Sequence, residues 1–496
     1  MRLLPALVTL LLLAACSSGP GAGQPPVPAP PATTAPEPAP TVEAAVPVLT
    51  WRDCEDNFEC ATLPVALGDT GRTLDLAVTR LPASGERIGA LVVNPGGPGA
   101  SAVDYLQAAH TQLPDPLGAR FDLVAFDPRG VGRSEPVECL DTDGLAAYLA
   151  LDPSPDDAAE LAGVVDGNRA FADGCGERSG DLLEHVSTTD VVSDLELLRR
   201  ALGEEQLTYL GYSYGTAIGA AYLQAHPDRV RAAVLDGALD PTLSWDRLLE
   251  GQSRGFDVAL EAFLADCERV TCAFRQAVEG DLGAAYDALD ARVDARPLEV
   301  GEGRTLGPGE LSLGVGAALY DREQGWPALA QGLADAEDGD GRVVQALADS
   351  YADRSADGYG PLLESNLAVN CVDRPWPADT ASYTALADRV AAQSPRFGEG
   401  IVLSGLACAA WPAAATGRPA PVTAAGAPPV VVIGTSRDPA TPYAWSVALA
   451  DQLESGVLVS VDGDGHTAYR SGAPDCVLEP VTDYLLTGRV AGPVDC

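Results

Sequence analysis

Hydrophobic and polar positions along the chain follow two rhythms. Residues 61–67 and 73–81 alternate apolar with polar, as a pair of antiparallel strands with one wet face would. Runs at 88–93, 121–126, 207–210, 230–235, 429–433 and 457–461 are apolar almost throughout, which suits strands covered on both faces. Helix-like stretches separate most of these runs, 189–202 and 215–225 among them. Strands alternating with helices predict an α/β fold around a mostly parallel sheet. The alternation stops near Pro241 and resumes near Pro428. Between those points the chain is rich in Ala, Leu, Asp and Arg and reads as helix. The pattern predicts one α/β domain in two parts, 48–242 and 427–496, interrupted by a helical insertion at 243–426.

The N-terminus follows neither rhythm. Met1-Arg2 and the short apolar stretch 3–15 read as an export signal. It ends in Leu13-Ala14-Ala15-Cys16, which resembles a bacterial lipobox and predicts a lipid on Cys16. Residues 17–47 are rich in Pro and Ala and read as a tether. No later apolar run is long enough to span a bilayer. The expectation is an exported protein, lipid-anchored to the outer face of the cell membrane or secreted after ordinary cleavage, and otherwise without membrane contact.

Charge narrows the partners. Against 71 acidic residues stand 31 basic ones, all arginine, for a net −40. Such a surface repels nucleic acid and anionic lipid. It suits a soluble exported monomer, or an acidic mouth that attracts cationic peptides. Removing Cys16 from the 11 cysteines leaves an even set in an oxidising compartment. Local spacing favours Cys54–Cys60, Cys139–Cys175, Cys267–Cys272, Cys371–Cys408 and Cys476–Cys496, although the sequence leaves connectivity open. With four histidines and no Cys-x-x-Cys, neither a metal nor another cofactor is expected.

Candidate chemistry centres on Ser213. The apolar run 207–210 ends in Gly211-Tyr212-Ser213-Tyr214-Gly215, with a helical pattern immediately behind it. This is the strand–turn–helix context of a nucleophile elbow. Gly251-Gln252-Ser253-Arg254-Gly255 matches the same pentapeptide, but a polar, helix-like stretch precedes it and no strand delivers Ser253 to a sheet edge. A serine hydroxyl needs a base, and the base needs an orienting carboxylate. His110 and His226 belong to helical patterns, and His185 lies in a loop before a helix start. His466 follows the apolar run 457–461 through Asp462-Gly463-Asp464-Gly465, a loop at the carboxyl end of a strand. Asp438 follows the run 429–433, between an arginine and Pro439, where it either orients His466 or caps the next helix. The order Ser, Asp, His is that of α/β-hydrolases. For the oxyanion, the N–H of Tyr214 is one donor. The loop Asn94-Pro95-Gly96-Gly97-Pro98-Gly99 supplies the other, Gly97 ahead of Gly96.

These segments together resemble the proline iminopeptidase-related serine peptidases: Asn94 to Gly99, Asp127-Pro128-Arg129-Gly130-Val131-Gly132-Arg133-Ser134, Gly211 to Thr216, Leu235-Asp236-Gly237, Asp438-x-x-Thr441-Pro442 and Gly465-His466. The similarity runs closest to the actinobacterial secreted tripeptidyl aminopeptidases and covers about residues 50–240 and 425–496. Ala100-Ser101-Ala102 departs from it where the family often carries more glycine. The resemblance implies an α/β-hydrolase fold with a large helical cap insertion, and a peptide substrate with a free N-terminus. An exopeptidase of that kind needs carboxylates for the α-ammonium, and Asp373 and Glu364 are the candidates in the insertion. Two rival readings stand beside it: an esterase or lipase with the same three residues, and a non-catalytic binding lipoprotein on a hydrolase fold.

Overall fold

The computed structural model describes residues 46–496; the predicted signal, Cys16 and nearly all of the tether lie outside the described residues. Ten strands form the central sheet. They are β1 (Arg52–Asp53), β2 (Glu59–Ala66), β3 (Thr73–Leu81), β4 (Gly89–Asn94), β5 (Phe121–Phe126), β6 (Leu207–Tyr212), β7 (Val230–Asp236), β8 (Val430–Arg437), β9 (Gly456–Asp464) and β10 (Val494–Asp495). Their spatial order is β1-β2-β3-β5-β4-β6-β7-β8-β9-β10. The first strands pair antiparallel, and from β5 onward all pairings are parallel. The mostly parallel sheet is the one the alternation predicts, and its arrangement is the α/β-hydrolase fold that the resemblance implies. β4, β5 and β6 are buried along their whole length, which explains their unbroken apolar runs.

β9 extends further than its apolar run. Asp462 to Asp464, expected as loop, continue the strand, because the register shifts between Thr435 and Arg437 and pairs Arg437 with Asp464. The Arg437 guanidinium seals that end by bonding Asp464 Oδ1 at 2.5 Å. A polar strand end held by ion pairs leaves no apolar signal in the sequence.

Most of the chain between β7 and β8 is helical, from Trp245–Val270 to Leu406–Ala409. Two short hairpins, Leu298–Gly301 with Arg304–Leu306 and Arg354–Ser355 with Gly358–Tyr359, interrupt it. One apolar cluster, including Phe263, Leu311, Val315 and Leu329, lies wholly within this insertion. A second joins Leu249, Tyr383 and Leu406 to Val164, on the helix Ala158–Ser179 that precedes β6. The helical layer over the sheet therefore draws on both sides of the elbow. All five expected cysteine pairs lie at disulfide distance.

Candidate active site

β6 delivers Ser213 to a sharp turn before the helix Tyr214–Ala225. Ser213 sits at φ +53° and ψ −125°, a conformation few side-chain-bearing residues adopt. Neighbours hold it there. Its N–H donates to Asp236 O at 2.9 Å, and the Thr216 hydroxyl donates to Ser213 O at 2.6 Å. The flanking glycines are sterically required, since a Cβ on Gly215 would lie 2.7 Å from Asn94 O and one on Gly211 would strike the Gly215 carbonyl. Ser253 has none of this: it lies within the helix Trp245–Val270, and its hydroxyl donates to Leu249 O at 2.8 Å.

The loop after β4 lies on the elbow. A Cβ on Gly96 would come 2.8 Å from Tyr214 N. The Gly96 N–H already donates to Asn94 Oδ1 at 3.0 Å, whereas Gly97 lines one cavity with Ser213 and Tyr214. Ser101, in the segment with fewer glycines than the family, caps the helix Ala102–Ala109 and donates to Asp127 Oδ1 at 2.9 Å. Asp127 also accepts from the N–H groups of Val103 and Arg133, so it fastens two loops beside the site. Arg129 is buried against both oxygens of Asp194, each at 2.7 Å, and serves the frame.

His466 and Asp438 meet at the ends of β9 and β8. The imidazole Nδ1 is 2.9 Å from Asp438 Oδ1 and 2.8 Å from Oδ2. Asp438 is held in turn by the N–H groups of Ala440 and Thr441 and by the Thr441 hydroxyl, at 2.9, 2.8 and 3.0 Å. The His466 N–H donates to Tyr320 O, and the two rings meet edge to face. Burial opposes the imidazolium, yet attraction to Asp438, the hydrogen bond between them and the Asp236 charge together raise the His466 pKa above 6.5. His466 Nε2 is buried and makes no hydrogen bond among the described residues. Ser213 shares its cavity, about 570 Å³, with Tyr320 and Thr441, the residues that flank the imidazole. None of the four histidines is itself among the lining residues; His466 is set beside the cavity through Tyr320 and Thr441.

Asp236 is the residue whose part the sequence concealed. Its carbonyl receives the Ser213 N–H, while its carboxylate accepts from Ala468 at 2.9 Å and Tyr469 at 2.7 Å. One residue thus ties the elbow to the histidine loop. Complete burial pushes its pKa up to about 6, against the pull of those two N–H groups. Leu235-Asp236-Gly237 was visible as a motif; the two-sided role needs the fold.

The two carboxylates proposed for the α-ammonium separate. Both lie on the helix Leu362–Asp373, which packs so close to the β4 loop that a Cβ on Gly99 would strike Leu362 O. Asp373 lines the Ser213 cavity, accepting from the Thr188 N–H at 2.8 Å and hydroxyl at 2.5 Å. Glu364 does not reach it. That expectation is corrected: Glu364 is buried, and its Oε1 accepts from the N–H groups of Cys139 and Leu140 at 2.7 and 2.9 Å. Nine residues along a helix turn the two side chains to different surroundings. Arg374, next to Asp373, lines the cavity with Nε and Nη1 buried and unpartnered among the described residues.

A strained serine at the carboxyl edge of a mostly parallel sheet, with an Asp–His pair on two later strand ends, defines the α/β-hydrolase class. A family model described as alpha/beta hydrolase fold matches residues 89–300, and one described as TAP-like protein matches 394–496. Serine protease Hip1 of Mycobacterium tuberculosis is 38% identical over 84% of this chain and 82% of its own. Carboxylesterase B of the same organism is 38% identical over 96% and 92%. The tripeptidyl aminopeptidase of Streptomyces lividans is 32% identical over 90% and 86%. The chain belongs to this family of α/β-hydrolases with a TAP-like C-terminal region.

Proposed function

We propose that the chain is a serine peptidase that releases short peptides from free N-termini through an acyl-enzyme. The observation that carries this reading is the His466 Nδ1–H shared between the two Asp438 oxygens, together with a strained Ser213 in a cavity lined also by Asp373 and by Tyr320 and Thr441, which flank the imidazole. Ser213 Oγ attacks the scissile carbonyl while its proton passes to His466 Nε2. That nitrogen then protonates the leaving amine as the C–N bond breaks. Water attacks the acyl ester next, giving its proton to His466 and returning the serine hydroxyl. The N–H groups of Tyr214 and Gly97 receive the oxyanion at both tetrahedral stages. Asp438 fixes the tautomer and opposes the positive charge on the ring. Asp373 receives the substrate α-ammonium.

The sequence supports export with a lipid on Cys16. No described helix is long and apolar enough to cross a membrane. A second reading, ester hydrolysis by the same residues, is favoured by the carboxylesterase B relative. Peptides with free N-termini, the same peptides N-blocked, and p-nitrophenyl esters separate the two. The aminopeptidase reading expects turnover of the first set, little of the second, and product masses of short N-terminal fragments. Fast ester turnover with no peptide cleavage would overturn it.

A further inference from the structure

A second chamber, about 260 Å³, opens beside the Ser213 cavity. Phe256, Tyr320, Tyr351, Ile401 and Ser404 line both, so the two spaces adjoin. Tyr320 is also the ring that meets His466, which brings this shared lining next to the imidazole. Its walls are aromatic and aliphatic. Phe256 packs against Phe397 and Tyr320 with centroids 5.4 and 6.0 Å apart, and Leu149, Leu151 and Leu313 continue the lining.

Several polar groups of this wall are occupied locally. The Tyr148 hydroxyl donates to Asn168 Oδ1 at 3.1 Å, and Asn168 Nδ2 donates to Val164 O at 2.9 Å. The Ser404 hydroxyl donates to Ile401 O at 2.8 Å. Asp152 is the wall's only charged residue, and its carboxylate accepts from the N–H of Ser154 at 2.9 Å within its own turn. A space so lined gains mainly from apolar surface.

We propose that this chamber receives a large apolar side chain, of leucine or phenylalanine type, from a substrate residue flanking the scissile bond. The inference rests on the hydrolase reading of Ser213 and adds a side-chain preference to it. The helix Pro308–Leu319 places Gly316 in the chamber, and a Cβ there would meet nothing nearer than Phe256 Cε1 at 3.7 Å and Phe397 Cε1 at 3.8 Å. A methyl at Gly316 therefore fits without a close contact, and a larger side chain there takes up chamber space beside Phe256 and Phe397. Gly309, by contrast, abuts the Leu149 carbonyl.

The experiment compares wild-type, Gly316→Ala and Gly316→Leu protein on peptides varied at both residues flanking the cleaved bond. A matched series of p-nitrophenyl esters varies the acyl side chain. Wild-type kcat/KM is expected to favour leucine or phenylalanine over alanine by about tenfold or more at one position, since each buried methylene contributes strongly to such discrimination. Gly316→Ala should shrink that ratio and Gly316→Leu should bring it near one. Fluorophosphonate labelling of Ser213 and an unchanged melting temperature certify folding. Equal turnover across side chains, a preference for lysine or arginine, or a ratio untouched by Gly316→Leu would overturn the proposal. Cleavage of esters alone would instead refute the aminopeptidase reading, and the side-chain ranking would then be read on the esters.

Discussion

The Ser213 elbow and the helix Leu362–Asp373 face one cavity, but they are built from different kinds of information. At the elbow, residues within two positions of Ser213 create the geometry: glycines at 211 and 215, a buried strand before and a helix after. On the helix, neighbours in sequence decide little, because Glu364 and Asp373 acquire their roles from Cys139 and Thr188, more than 180 residues away. The first region carries chemistry that short motifs can encode. The second is where we place recognition, which depends on what the inserted helices touch.

The largest effects should come from the first region. Ser213→Ala is expected to lower kcat by about four to six orders of magnitude, with thermal unfolding nearly unchanged, measured by steady-state kinetics and calorimetry. Persisting turnover would detach the chemistry from the elbow altogether. Asp438→Asn keeps the shape but offers His466 an amide, so the ring loses its fixed tautomer and its counter-charge. A fall of about 10⁴ in kcat is expected from the same arrangement in other serine hydrolases.

Recognition should respond more gently, and selectively. Asp373→Asn is expected to raise KM about 10- to 100-fold for peptides with free N-termini while changing ester turnover by less than about threefold. Equal losses on both substrates would mean that Asp373 supports the wall through Thr188 rather than the α-ammonium. The profile of kcat/KM against pH should then rise about tenfold per unit below a midpoint above 6.5. The base works only when neutral, and Asp438 and Asp236 favour its charged form beyond the cost of burial. The same raised pKa contributes stability at low pH that is lost as pH climbs through the folded-state value. A midpoint below 6.5 would contradict the pairing.

Legibility in the sequence divides along the same line. Strands β4 to β7 were readable because burial on both faces leaves an unbroken apolar run. Ser213, Asp438 and His466 were readable because each stands just beyond such a run. β1 and β10, two residues each, carry no pattern to read, and the end of β9 is polar because ion pairs close it. Asp236 could be seen but not interpreted, since its partners Ala468 and Tyr469 lie more than 230 residues downstream. The apolar chamber was invisible, because Tyr148, Gly316 and Ile401 meet only when separate helices pack. In a chain of net −40, a carboxylate on a helix has no mark that separates a ligand from a strut.

Glu364 tests that last distinction with the smallest expected effect. Its carboxylate satisfies two buried N–H groups next to the Cys139–Cys175 pair. Glu364→Ala strands both donors, and each stranded group costs about 1–3 kcal/mol. Denaturant unfolding should therefore show a loss of a few kcal/mol with an unchanged slope, while KM for N-terminally free peptides stays within about twofold of wild type. A large KM rise without destabilisation would return Glu364 to the substrate and show that the helix rotates when peptide binds. Loss of stability alone would identify Glu364 as a strut for the Cys139 and Leu140 N–H groups, nine residues along the helix from Asp373.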